Sequence, residues 1–129
     1  MTEPKFTVNR TGPNSLRMSI SGMLDANTME VGLEMMSTEM AGMVHGDALV
    51  IDEGASWPSL GAIAVELRHW PQMMAMLHQL DRVALVSHNQ MFRTMATVES
   101  ALIPGYEIRN FNDEASAQVW LDGARMTPA

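Results

Sequence analysis

Apolar and polar residues alternate in two segments near the start of the chain, 5–10 and 16–21. A period of two is typical of a β-strand that has one buried face. The sequence between these segments, Thr11-Gly12-Pro13-Asn14, contains residues that favour turns. The pattern therefore predicts that the chain opens with a β-hairpin.

A helical pattern follows the hairpin. Asn27 and Glu30 have the spacing of a capping box, in which two side chains bind unpaired backbone N–H groups where a helix begins. Apolar residues then recur at every third or fourth position, which predicts one buried stripe on a helix of roughly 15 residues. These residues are Met29, Leu33, Met36, Met40 and Met43. The sequence His45-Gly46-Asp47 is expected to end the helix.

Two short apolar runs, 48–51 and 83–86, occupy the middle of the chain. Continuous runs of this length are typical of strands that are buried on both faces of a parallel sheet. Residues 52–56 are predicted to form a loop, and apolar residues then recur at helical spacing from Leu60 to Leu77. Because Pro71 lacks a backbone N–H, this helix should kink or restart just before it.

The last part of the chain predicts one more strand between two helices. Asn89 is suited to cap a third helix, and residues 106–111 alternate as a final strand. Residues 113–121 predict a short closing helix, with Gly123 in the position of a C-terminal cap. Residues 124–129 are expected to be a frayed tail.

The predicted order of elements is ββαβαβαβα. Strands that alternate with helices form parallel pairs joined by right-handed crossovers, and the opening hairpin adds an antiparallel pair. We therefore predict an α/β fold: a mixed, mostly parallel sheet of about five strands, flanked by helices, in a single domain over residues 1–129.

Composition and charge exclude several functions. The chain has no Cys, which removes disulfides, thiolate catalysis and Cys-ligated metal sites. A net charge of −7 with eight Lys and Arg residues disfavours nucleic acid as a partner, because such binding depends on basic side chains that neutralise phosphates. The 14 Met residues indicate a Met-biased core or, alternatively, a pliable pocket or groove, because Met is unbranched and flexible.

The cellular location is predicted from what the sequence does not contain. Neither a signal peptide nor an apolar stretch of the roughly 20 residues needed to span a membrane is seen, so we expect a cytoplasmic protein. The acid excess argues against attraction to anionic lipid, so any peripheral membrane contact would be hydrophobic.

Catalytic and metal-binding motifs are also missing from the sequence. The His residues are not spaced as metal ligands, and neither a phosphate-binding loop nor a nucleophile elbow is present. We therefore expect no catalytic residue, no metal and no cofactor. If the protein were nevertheless an enzyme, Asp52, Glu53 or His88 would be its residues, on the basis of location alone.

Candidate ligand-binding residues begin at the carboxyl ends of the two central strands, where crevices form in α/β sheets. The candidates for an apolar pocket are Trp57, Leu60, Ile63, Ala64, Leu67, Met91, Phe92 and Met95. The alternative is that all of them belong to the core. Ser59 stands at a predicted helix start, where it could be a phosphorylation site or simply the N-cap.

Several segments, taken in order, carry a family likeness. They are Ile20-Ser21-Gly22-Met23-Leu24, the stretch from Leu49-Val50-Ile51-Asp52 to Trp57-Pro58-Ser59-Leu60, Arg82-Val83-Ala84-Leu85-Val86, and Arg109-Asn110-Phe111 with Glu114-Ala115 and Trp120-Leu121. Through them the chain resembles the SpoIIAA-like family, within the STAS fold of anti-sigma-factor antagonists. That fold is often grouped with the Sec14/CRAL-TRIO lipid-binding architecture.

The resemblance implies a non-enzymatic binding or regulatory module. Such a module would hold an apolar small molecule or lipid and contact a membrane transiently. The alternative is a protein-partner regulator of the anti-sigma-factor-antagonist type, switched by phosphorylation at Ser59. Two departures bear on these readings. Met91-Phe92 stands where the family commonly has Trp, and the Asp-Ser-Ser-Gly motif is reduced to one Ser in Trp57-Pro58-Ser59-Leu60-Gly61. The oligomeric state stays open, and a homodimer is compatible with the sequence.

Overall fold

A computed structural model describes residues 4–56, 58–90, 93–94 and 107–126 of the chain. The strands are β1 (Lys5–Gly12), β2 (Ser15–Gly22), β3 (Gly46–Ala55), β4 (Leu80–Val86) and β5 (Glu107–Phe111). The helices are α1 (Ala26–Glu39), α2 (Leu60–Arg68), α3 (Trp70–Leu77) and α4 (Glu114–Met126).

The strands form one sheet in the order β1-β2-β3-β4-β5. β1 pairs antiparallel with β2, and the other neighbours pair parallel. The predicted α/β class, with a mixed and mostly parallel sheet of five strands, is therefore confirmed. Because the four-stranded parallel part places the carboxyl ends of β2 to β5 at one edge, the loops at that edge lie close together.

The main core lies between one face of the sheet and the helices α1, α2 and α3. The predicted α1 stripe is buried throughout, although its last two members, Met40 and Met43, lie just beyond the end of the helix. Gly32 lets α1 approach the sheet closely, because a Cβ added there would lie 2.5 Å from the ring of Phe6. The core includes six methionines: Met18, Met29, Met36, Met40, Met43 and Met76.

A smaller core lies under α4 on the opposite face of the sheet. Ala117 and Leu121 of α4 pack against β3 and β4 there. Trp120 lies with its ring centroid 5.6 Å from that of Phe111. The guanidinium groups of Arg82 and Arg109 lie 5.1 and 5.3 Å from the Trp120 ring centroid, which adds cation–π attraction to the apolar contact.

Some predicted boundaries were wrong, beginning with the start of α1. The N-cap is Asp25, whose Oδ1 accepts a hydrogen bond from the Thr28 N–H at 2.7 Å. Asn27 lies inside the first turn, because the backbone is already helical from Ala26. The capping box with Glu30 is therefore not formed.

The predicted loop after the first central strand is also largely absent. β3 continues to Ala55 because its last residues still pair with β2, as in the Gly22–Ala55 register. The strand also begins at Gly46 rather than two residues later.

The C-terminal predictions need one correction. α4 continues to Met126, so Gly123 lies within the helix and does not cap it. The first three residues of the tail expected to be frayed, 124–126, are helical, and 127–129 lie outside the described residues.

The predicted interruption before Pro71 is confirmed. α2 ends at Arg68 and α3 begins at Trp70, so Pro71 occupies the first turn, where a missing N–H leaves no hydrogen bond unmade. Most of the third predicted helix, after Asn89, lies outside the described residues.

Candidate functional site

The start of α2 is fixed by Ser59. Its Oγ accepts a hydrogen bond from the Ala62 N–H at 3.1 Å, and its own N–H donates to the Leu24 carbonyl oxygen at 2.8 Å. A Cβ added at Gly61 would lie 3.3 Å from the Ala26 Cβ, so α2 passes close to the start of α1. The N-cap reading of Ser59 is confirmed, and its backbone N–H joins the start of the helix to the connection between β2 and α1.

One face of α2 is apolar and exposed. Leu60 and Leu67 are 86% and 64% exposed, Ala64 is exposed, and Ile63 is half-buried. These four residues, called here the α2 stripe, are four of the predicted pocket residues. The remaining four, Trp57, Met91, Phe92 and Met95, lie outside the described residues. The core side of α2 is instead filled by the smaller residues Ala62 and Val65.

Few charges surround the α2 stripe. Residues 58–80 contain one carboxylate, Glu66, and one permanent cation, Arg68, in a chain whose net charge is −7. Glu66 is half-buried, and this burial raises the pKa of its carboxyl group. Arg68 is held by Glu30 of α1, with Nη2 and Oε2 3.2 Å apart. The segment that carries the stripe is therefore poor in charge.

A polar network lies at the carboxyl edge of the sheet. Ser87, only 1% exposed, donates a hydrogen bond from Oγ to Asp52 Oδ2 at 2.7 Å. The other carboxylate oxygen of Asp52 accepts from the N–H groups of Gly54 and Ala55 at 3.0 and 2.6 Å. Ser87 Oγ also accepts from the Asn89 N–H at 3.1 Å. The network thereby joins the ends of β3 and β4.

Arg93 extends the same network to β5. Its Nε donates to the Ser87 carbonyl oxygen at 2.6 Å, and its Nη2 donates to the Phe111 carbonyl oxygen at 3.2 Å and to Asn112 Oδ1 at 2.8 Å. Sequence reasoning missed both Ser87 and Arg93. The sequence signal that could have identified Ser87 is its position as a polar residue directly after the apolar run of β4.

The network includes one of the three side chains named for catalysis at this edge. Asp52 is engaged by Ser87 and by the backbone, and Glu53 and His88 are exposed. The hydrogen bonds of the network link the ends of β3, β4 and β5.

The other His residues lie apart from one another. His45 contacts Asp81 at 3.1 Å, His69 contacts Glu30 at 3.4 Å, and His78 Nδ1 lies 2.7 Å from the Met74 carbonyl oxygen. Within the described ranges, no three His or carboxylate side chains come together as metal ligands. None of the helices described here has both the length and the apolarity to cross a bilayer.

Comparison with known proteins agrees with this architecture. The fold is similar to that in a crystal structure of an uncharacterized protein of the DUF3478 family, with a SpoIIAA-like fold, from Shewanella loihica PV-4. The TM-score is 0.68 at 20% identity, and the match covers 94% of this chain and 97% of the other.

A sequence profile of the SpoIIAA-like family matches residues 15–122. The chain therefore belongs to the SpoIIAA-like family, as its resemblance indicated. No curated protein matches it. The family is generally non-enzymatic, and membership suggests a regulatory module.

Proposed function

We propose that the protein is a non-enzymatic module that binds an apolar small molecule or lipid and contacts a membrane surface transiently through the α2 stripe. The observation that carries this proposal is the exposure of Leu60 and Leu67, 86% and 64% respectively. Large apolar side chains on a helix normally face the core, whereas α2 buries two smaller ones there.

The size of the stripe favours reversible contact. Moving one exposed leucine side chain from water into an apolar phase contributes about 2 kcal/mol. Two leucines therefore contribute at most about 4 kcal/mol, which is less than stable anchoring requires. The low charge of residues 58–80 supports the same reading, because each further carboxylate beside the stripe would resist transfer from water.

Vesicle flotation tests the proposal. The double variant Leu60→Asp/Leu67→Asp should lose binding to neutral phosphatidylcholine vesicles, because two charges would enter the apolar layer. Val119→Asp is a matched control, since Val119 is 71% exposed on α4, on the other face of the sheet. Equal flotation of the double variant and the unaltered chain would refute membrane contact.

The bound ligand calls for a separate measurement. Native mass spectrometry before and after mild organic extraction should show an apolar mass that is lost on extraction. A bare mass in both samples would leave no support for the small-molecule part of the proposal. Candidate pocket residues outside the described ranges, such as Trp57 and Phe92, would then lose that role.

The second candidate function is a protein-partner regulator switched at Ser59. Its support is the position of the Ser59 hydroxyl, 3.1 Å from the Ala62 N–H at the start of α2. A phosphate there would meet unpaired N–H groups and the favourable end of the helix dipole. Intact-mass analysis of protein from growing cells should show a phosphate adduct that disappears in Ser59→Ala. Absence of the adduct in the unaltered chain would count against the switch.

A further inference from the structure

The outer face of α1 carries charge that the rest of the described structure only partly balances. The helix contains Glu30, Glu34 and Glu39 and has no Lys or Arg. Glu30 and Glu34 are four residues apart, a spacing at which like charges destabilise a helix. Glu39 ends the helix, where a negative charge opposes the dipole.

Neighbouring cations reach only part of this face. Glu30 contacts Arg68 and His69, at 3.2 and 3.4 Å. Arg10 lies at the other end of the helix, but its Nη1 donates to the main-chain oxygens of Glu39 and Ala41. In the described part of the chain, no cation lies within ion-pair distance of Glu34.

Two adjoining depressions shape the same face. One has a volume of about 250 Å³ and lies between α1 and the start of α3. Its lining is mostly polar, with Glu30, Ser37 and Gln72 beside the buried Leu33. The second, also about 250 Å³, is lined by Val31, Met35 and Glu39. Glu34 and Thr38 line both depressions, so Glu34 stands on the ridge between them. Val31 is 46% exposed, which adds apolar surface beside the carboxylates.

From this arrangement we infer that the outer face of α1 is a docking surface for a basic, amphipathic segment of a partner protein. The segment would place apolar side chains over Val31 and Met35 in the second depression, polar side chains in the first, and a Lys or Arg over Glu34. Glu30 and Glu39 are nine positions apart, or roughly 13 Å along the helix axis at 1.5 Å per residue. That length suits a peptide segment better than a single small cation. The surface is distinct from the α2 stripe, so this inference does not depend on the proposed function.

The test is an NMR titration of the full-length, nitrogen-15-labelled chain with a synthetic amphipathic helix made of leucine and lysine. Amide shifts should change at residues 30–39 and 69–72. Glu34→Gln should weaken binding roughly threefold to tenfold, because a charge pair within an interface is lost. Glu53→Gln changes the net charge equally at an exposed site on β3 and should weaken binding less than about twofold.

Three results would overturn the inference. The first is absence of binding by the peptide. The second is equal weakening in Glu34→Gln and Glu53→Gln, which would mean general attraction to an acidic protein. The third is a set of shift changes centred on the α2 stripe, which would place the peptide on the lipid-facing surface instead.

Discussion

Removing the Ser87 hydroxyl should destabilise the protein far more than the loss of one oxygen atom suggests. Ser87 is 1% exposed, and its Oγ both donates to Asp52 Oδ2 at 2.7 Å and accepts from the Asn89 N–H at 3.1 Å. In Ser87→Ala, a carboxylate oxygen and a backbone N–H would lose their partner together. A hydrogen bond to a charged group contributes about 1.5–3 kcal/mol. Since Asp52 is only half-buried, water recovers part of this, and we expect a loss of about 2 kcal/mol.

Urea denaturation followed by circular dichroism measures this loss. With an m-value of about 1.5 kcal/mol per M, the unfolding midpoint should fall by roughly 1.3 M while the m-value stays unchanged. Ser37→Ala is a suitable control, because Ser37 is exposed on α1 and alanine is at least as good a helix former. Its midpoint should stay the same or rise slightly.

A double-mutant cycle separates the Ser87–Asp52 interaction from other effects of the substitution. Asp52→Ala and Ser87→Ala, combined, should be less destabilising than the separate effects added together, by about 1 kcal/mol or more. Additive effects, or a loss below about 0.5 kcal/mol in Ser87→Ala, would refute the view that this hydrogen bond holds the ends of β3 and β4 together.

Four further substitutions have outcomes that can be predicted from local geometry. Gly32→Ala should destabilise the protein by about 1–3 kcal/mol in urea, because the new Cβ would meet the Phe6 ring at 2.5 Å. Gly123→Ala should instead stabilise the protein by up to about 1 kcal/mol, because nothing lies within 4 Å of the added Cβ. If both glycine substitutions changed the free energy of unfolding in the same direction, this packing argument would be contradicted. Glu66→Gln should raise the melting temperature at about pH 7 but not at about pH 4. The folded-state pKa of Glu66 is raised by burial, so the protein loses stability as pH rises through that pKa. A rise in melting temperature that is the same at both pH values would exclude burial of the charged Glu66 carboxylate as its cause. Asp25→Ala should lower the free energy of unfolding by about 1 kcal/mol through loss of the α1 cap, and an unchanged urea midpoint would oppose that role.

The parts of the fold with sustained periodicity could be predicted from the sequence. The α1 stripe, the two apolar runs and the interruption before Pro71 all follow from spacing alone, because burial of one face imposes a period. The start of α1 was predicted wrongly because two nearby polar residues are both suited to the N-cap position. Both Asp25 and Asn27 are good N-caps, and only the extended backbone of Asp25 decides between them.

The candidate site could be predicted only in part. Spacing shows that α2 is apolar on more than one face, but it does not show which face the sheet covers. The polar network depends on strand register, because the pairing of Ile51 with Val86 brings Asp52 beside Ser87. The register between strands that are far apart in sequence is set by the whole sheet. The partner of Asp52 or Ser87 therefore cannot be identified from the sequence alone.

The methionine-rich core has a chemical consequence. Oxidation converts a thioether into a polar sulfoxide that no longer packs among apolar side chains. Met23, at 54% exposure, is open to peroxide, whereas the core methionines are shielded while the chain is folded. Peptide mass spectrometry during peroxide treatment should therefore show Met23 modified before Met36 and Met40. If partial unfolding exposes Met36 or Met40, oxidation of its sulfur would hinder repacking of that side chain in the core. Oxidative damage to the core would then be self-reinforcing, because a chain that has opened once is less able to repack its interior.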